Sequence, residues 1–153
     1  MSLVEGRDYV MAEKMTYTGT KGIGKGCLVA DMGKILQLPV RTMQGRGRTM
    51  ENVEWSIEGR PVAEAVRERL NDPSLAASDL ESVMRELAEE LEGSEIFDLS
   101  RTRRLKVRTS LLSKGLYISD KSSGPGWRGF PLNRDDARRF KEFYRGHPAA
   151  AGG

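Results

Sequence analysis

The sequence predicts an α+β fold, a curved antiparallel β-sheet packed by α-helices. Two observations predict it. Short, partly β-branched apolar runs recur between glycine-marked turns, at Met15–Thr18, Cys27–Ala30 and Ile35–Val40, and again from residue 95 to 119. Two segments, Asp79–Glu92 and Arg134–Arg145, carry apolar residues at helical spacing. Hairpin-sized strand spacing with helices set apart from the strands separates this class from alternating α/β folds.

The elements follow in order. Gln44–Thr49 (QGRGRT) reads as a flexible basic loop, and Asn52–Ile57 alternates as a strand would before Glu58-Gly59. Pro61 suits the first turn of a helix, and Val62, Ala65, Val66 and Leu70 continue it over Pro61–Asn71. In Asp79–Glu92, Ser78 is the expected N-cap with Glu81 completing a capping box, and Gly93 is the expected stop. Leu80, Val83, Met84, Leu87 and Leu91 form one apolar stripe, and Glu86, Glu89, Glu90 and Glu92 lie opposite. That acidic face reads first as solvated helix surface and second as a docking surface for a protein partner. Glu95–Leu99, Arg103–Leu112 and Leu116–Ser119 read as strands. The last helix has Asn133 as N-cap and Ala137, Phe140, Phe143 and Tyr144 turned inward.

This divides the chain into a strand-rich half over 1–72, an acidic bridging helix over 73–94, a β-β-β-α unit over 95–146 and a disordered tail over 147–153. The segments WSIEGRPVAEAVRERLN (55–71) and FPLNRDDARRFKEFYRG (130–146) share an aromatic, a turn and a helix of similar length. They raise a diverged tandem repeat, β-β-β-(β)-α twice over, and with it a pseudo-dimer within one chain.

Composition narrows the function. Hydrophobic residues make up 38% and charged residues 31% of 153 residues. No apolar run nears the ~20 residues of a membrane span, and the first residues lack the pattern of a secretory leader. The expectation is an intracellular protein with no membrane partner. One cysteine, Cys27, and one histidine, His147, make no His/Cys metal site, and neither metal nor cofactor is expected. The net charge of +3 conceals a segregation: +4 over residues 1–50, −10 over 51–100 and +9 over 101–153. Such a chain can bind polyanions despite its small total; the plainer alternative is that the blocks neutralise one another.

The chemistry-bearing stretch is RTRRLKVRTSLLSKGLYISDKSSGPGWRG, Arg101–Gly129. Strand alternation sends Arg104, Lys106 and Arg108 to one face and Leu105 and Val107 to the other. Leu116 and Ile118 face the core, which leaves Tyr117 outward. Arg103 and Lys114 flank these strands, Lys121 and Arg128 flank the following loop, and Trp127 lies within it. Three cations at alternate positions repel one another and gain nothing from burial. They match a phosphate backbone, whose neutralisation releases counterions, and Tyr117 or Trp127 could stack on an unpaired base. The plainer reading is a solvated β-face with Trp127 as a core plug.

Residues 95–146 resemble the C-terminal domain of the positive cofactor four family of transcriptional coactivators. The resemblance rests on IFDLSRTRRLKVR (96–108), SKGLYISD (113–120) and PGWRGFPLNRDDARRFKEFYR (125–145). It implies a curved antiparallel sheet backed by a helix, dimerisation, and single-stranded DNA held by basic and aromatic sheet residues. Arg104, Lys106, Arg108, Lys114 and Arg128 take contact roles on that basis. The family's strand usually continues into Ile-Arg-Glu-aromatic where this chain reads Ser-Asp-Lys-Ser, so Tyr117 or Trp127 would have to serve as the stacking residue. The LYIS strand is also similar, more distantly, to Whirly and purine-rich-element-binding proteins. Were the N-terminal half a repeat, Lys21, Lys25, Arg46 and Arg48 would supply a second basic surface. The resemblance implies partners that are single-stranded DNA or RNA and a second copy of the chain, with a role in transcription or replication.

A rival motif, GTKGIGKG (Gly19–Gly26), mimics a phosphate-cradling loop but has Gly26 where a magnesium-binding hydroxyl belongs, and a strand-like segment follows it. It reads instead as a hairpin tip. Asp135 and Asp136 suit a helix start better than a catalytic pair. The expectation is a binding protein without enzymatic activity; the alternative is an adaptor that docks a basic partner on helix 79–92.

Overall fold

The N-terminal apolar runs lengthen into four antiparallel strands. The computed structural model describes residues 2–46, 49–120 and 126–150. In it β1 is Val10–Gly19, β2 Gly22–Ala30, β3 Lys34–Arg46 and β4 Thr49–Glu54. They pair in the order β1-β2-β3-β4. A short hairpin, β5 (Ser56–Ile57) and β6 (Arg60–Pro61), leads into α1 (Val62–Leu70), and α2 (Leu80–Glu90) follows. The next strand, β7 (Glu95–Asp98), returns to this first sheet and pairs with Lys34–Gln37 of β3. A second sheet, ordered β10-β9-β8, contains β8 (Arg104–Thr109), β9 (Lys114–Ser119) and β10 (Trp127–Pro131), and α3 (Arg134–Phe143) closes the fold.

Around Val10–Ala12, Cys27–Ala30 and Ile35–Leu38 the first sheet is buried on both faces, whereas β4 is largely exposed. Met11, Cys27, Val29, Leu36 and Leu38 pack with Val62, Val66 and Leu70 of α1 and Leu80, Met84 and Leu87 of α2. Their strand neighbours Met15, Tyr17, Leu28, Ala30 and Ile35 pack the other way, with Leu105, Leu116, Ile118 and Phe130 of the second sheet, Ala137 and Phe140 of α3, and Tyr144 just past its end. Double burial explains why these strands read as continuous apolar runs rather than alternating ones. The registers shift between Ala12 and Met15 of β1 and between Lys25 and Gly26 of β2. Bulges of this kind add twist, and the sheet curls as a result.

Turn and cap chemistry follow local rules. Asp31 Oδ1 accepts the backbone N–H groups of Gly33 (2.8 Å) and Lys34 (2.6 Å), which closes the β2–β3 turn. Asn133 caps α3 by accepting the Asp136 N–H at 2.8 Å, as expected. Gly93 lies past the end of α2 with φ +93°, and its carbonyl accepts the Tyr17 hydroxyl at 2.6 Å.

Several expectations are corrected. Gln44–Thr49 is not simply a loop, because β3 runs to Arg46 and β4 starts at Thr49. The strand read over Asn52–Ile57 breaks at Trp55, whose indole N–H turns to Thr42 Oγ1 at 2.8 Å. Ser78 does not cap α2. A 3₁₀ turn, Ala77–Asp79, precedes that helix, and the Asp79 carboxylate accepts the Ala76 N–H at 2.8 Å. Glu81 is drawn instead to Arg85 at 3.0 Å and Lys34 at 3.6 Å. The tail is packed over residues 147–150. The buried His147 donates from Nε2 to Met32 O at 2.9 Å, and Leu105 N–H donates to Ala149 O at 3.2 Å, so an edge strand gains a partner. The segment packs because Ala149 and Ala150 lie against the core and its polar groups find backbone partners. The two halves repeat an order of strands then helix, while α1 and α3 pack on opposite faces of the first sheet.

Among the described residues, no helix is long and apolar enough to cross a membrane.

Two outcomes follow from this packing. Phe140→Ala, at a fully buried site, should cost about 3–5 kcal/mol in urea unfolding. Deleting residues 147–153 should lower the unfolding free energy by about 1–2 kcal/mol, on the scale of one or two lost hydrogen bonds; an unpacked tail would leave it unchanged.

Candidate nucleic-acid interface

The register of the second sheet sets the candidate surface. Arg104 lies opposite Ser119, which lies opposite Trp127; Lys106 opposite Tyr117, opposite Gly129; and Arg108 opposite Gly115, opposite Pro131. Directly opposed residues share a face, so all nine lie on the side away from Leu105, Leu116, Ile118 and Phe130, which are buried in the core. The rows are about 7 Å apart along the strands, two residues of rise. The alternation read from the sequence is the one observed here.

Cations and rings interleave on this face. Lys106 Nζ lies 5.6 Å from the centre of the Trp127 ring, and Arg108 Cζ lies 5.5 Å from that of Tyr117. Each such contact contributes about 0.5–1 kcal/mol at an exposed site. Trp127 is 36% exposed and is therefore not a core plug. A β-carbon at Gly129 would stand 2.8 Å from Tyr117 Cε1, so the bare glycine leaves room for that ring to lie across β10. The Tyr117 hydroxyl is 3.0 Å from Ser113 Oγ, which ties the ring to the β8–β9 turn.

The cations of β8 differ from many others in the chain in carrying no ion pair. Ion pairs hold many of the other cations: Lys21 to Glu92 (3.3 Å), Arg67 to Glu13 (2.7 Å), Arg69 to Glu90 (2.7 Å) and Arg41 to Glu54. Among the described residues, Arg104, Lys106 and Arg108 have no carboxylate within 4.0 Å. What offsets their mutual repulsion is the pair of ring contacts at Lys106 and Arg108.

The other expected site residues are dispersed. Arg103 is exposed just before β8, where its backbone N–H donates to Ser119 O at 2.9 Å, and alternation puts its side chain on the side opposite Arg104. Lys114 opposes Thr109, and alternation puts this pair on the side of Leu116. Arg128 opposes Ile118, so it too points to the inner side. There its Nη2 donates to Thr18 O at 2.7 Å, and its guanidinium sits 5.5 Å from the Phe97 ring and 5.4 Å from that of Phe130. Arg128 thus joins β10 to the first sheet instead of the outer row. Lys21 lies over Trp55 at 5.3 Å and pairs with Glu92. Lys25 lines a notch with Glu13, Arg41 and Glu54, among other residues. Neither lysine joins the outer row. The side chain of Arg46, and all of Arg48 and Lys121, lie outside the described residues.

Sequence reasoning missed Leu111 and Leu112, 79% and 100% exposed at the β8–β9 tip. The signal is present, since two leucines replace the polar residues usual in a turn, but the strand expected over Arg103–Leu112 ends at Thr109. The rival readings lose ground. Gly19–Gly26 spans the β1–β2 turn, with Gly19 opposite Gly22, and no helix follows it. The Cys27 thiol is fully buried, and burial pushes its pKa far up. Both His147 nitrogens are engaged, Nδ1 accepting the Ala149 N–H at 3.0 Å. Of the acidic residues on and beside α2, Glu81, Glu90 and Glu92 are paired within the chain.

No family model, no curated protein and no solved structure matches this chain.

Arg128→Ala should destabilise the fold by about 1–3 kcal/mol, since it strips a charge-assisted bond between the sheets. Arg104→Ala should stay within about 0.5 kcal/mol. Chemical denaturation of both variants checks the contrast, and equal effects would contradict the assignment of faces.

Proposed function

We propose that this chain is a non-enzymatic binding protein for single-stranded nucleic acid, DNA foremost, acting through the outer face of β8, β9 and β10. One observation carries the reading: three cations without carboxylate partners stand in a row beside two aromatic rings on one face of a sheet. Phosphates would lie along Arg104, Lys106 and Arg108, where each neutralised contact releases counterions. Bases would stack on Trp127 and on the open part of Tyr117. A single strand is favoured because a duplex hides the base faces that these rings need. The resemblance of residues 95–146 to the positive cofactor four family supports the same ligand class and a transcription- or replication-associated role. The adaptor alternative draws less support, because three of the glutamates on or beside α2 already pair with Lys34, Arg69 and Lys21.

Fluorescence anisotropy tests this with a labelled single strand and its duplex, at two salt concentrations. The single strand should bind tighter, with affinity falling as salt rises. Combining Arg104→Glu, Lys106→Glu and Arg108→Glu should abolish most binding and reduce the salt slope by about 2, at ~0.7 per lost phosphate contact. Equal, weak binding to both ligands would reduce the face to generic attraction.

A further inference from the structure

One edge of the second sheet is left open. The sheet is ordered β10-β9-β8, so β8 pairs with β9 on one side and has no strand on the other. Leu105 shows which way the free groups point, because its N–H donates to Ala149 O at 3.2 Å, away from β9. Hydrogen bonding alternates along an antiparallel strand, so the N–H and C=O of Val107 and Thr109 point to that same side. Among the described residues no strand meets them there. The tail thus occupies one end of the edge, at Leu105, and the rest runs along a groove of about 400 Å³ between β8 and the end of α3.

Such an edge selects a chain with both donors and acceptors. It presents N–H and C=O groups in alternation, the template on which an extended peptide adds as a further strand. A phosphate backbone only accepts, and would leave the carbonyls unmatched. Charge narrows the peptide further. Lys141 and Arg145 are exposed and line the α3 side of the groove. Among the described residues Lys141 has no carboxylate within 4.0 Å, and Arg145 has only Glu142, at 2.7 Å on an exposed surface where such a pair is weak. No acidic residue belongs to the described lining. A second copy's β8 would offer the right backbone groups, but it would set its own Arg104, Lys106 and Arg108 beside these, and like charges on neighbouring strands repel.

We infer that the open part of the β8 edge takes an extended acidic segment of a partner protein, added as a strand beside Val107 and Thr109 with its carboxylates toward Lys141 and Arg145. Side chains of an added strand alternate between faces, so every second residue meets the α3 side, and the pattern recognised is a carboxylate at alternate positions. Main-chain bonds to the edge supply affinity and the two cations supply the choice of sequence. The open span from Val107 to Thr109 is about 7 Å, two residues of rise, which suits a short linear segment. This surface lies on the edge of the sheet and does not depend on the single-strand reading of its outer face.

NMR spectra of the full chain test this with a short, end-blocked peptide of alternating glutamate and valine. The amide signals of Val107 and Thr109 should shift on titration, and their exchange with solvent should slow. The same peptide N-methylated along its backbone keeps the charges and lacks the main-chain donors; it should shift them far less, as should a peptide with lysine in place of glutamate. Lys141→Glu should weaken binding of the glutamate peptide about fivefold or more, the scale of a lost cross-strand charge pair and the repulsion that replaces it. Arg138→Glu makes the same charge change on α3 outside the groove lining and should weaken it less than about twofold, since a distant surface charge is screened. Equal shifts from the three peptides, or equal losses in the two variants, would overturn the assignment. Shifts at Val107 that grow with protein concentration alone, together with a doubled mass by light scattering, would overturn it in favour of a second copy. Shifts there from a single-stranded oligonucleotide and none from the glutamate peptide would overturn it in favour of nucleic acid.

Discussion

Everything in this fold depends on the part of the first sheet around Cys27–Ala30 and Ile35–Leu38 being buried on both faces. A sheet with one wet face would need only one layer of partners. Here Cys27, Val29, Leu36 and Leu38 demand helices on one side, and Leu28, Ala30 and Ile35 demand apolar cover on the other. The second sheet and α3 supply that cover. Because their inner faces are committed to the core, the outer face of β8, β9 and β10 is the one left outside it, with Arg104 and Arg108 exposed there and Ser119 buried.

Charge is sorted by the same architecture. The acidic middle of the chain neutralises cations of the N-terminal half through pairs such as Arg69 with Glu90 and Lys21 with Glu92. The basic C-terminal third is only partly matched. Arg139 is tied to Glu5, Asp136 and the Met11 carbonyl, whereas the row on β8 has no acidic neighbour in contact. Surface pairs of this kind add little stability individually. Their effect is to pair off cations such as Arg67, Arg69 and Lys21, a pairing that Arg104, Lys106 and Arg108 lack among the described residues.

Arg128 shows how one residue of register changes a role. It lies one position after Trp127, which faces out, and one before Gly129, over which Tyr117 lies. A strand slip of one residue would exchange the two sides. The guanidinium would then leave Thr18, Phe97 and Phe130, and the indole would enter the core. Its place between two rings and a carbonyl makes Arg128 a bridge between sheets.

The sequence by itself determined the α+β class, the caps and apolar faces of the last helix, and the alternation of Arg104, Lys106 and Arg108 against Leu105 and Val107. These follow from local periodicity and turn chemistry, which act over a few residues. Only the tertiary structure decided the rest. It sent β7 to the first sheet, packed His147 against Met32, turned Arg128 inward and paired Lys21 with Glu92. It also brought Lys141 and Arg145 across a groove from β8, more than thirty residues away in the chain. The physical reason is that a side chain's partner is set by which surfaces pack together, and packing joins segments whose relation no local pattern records.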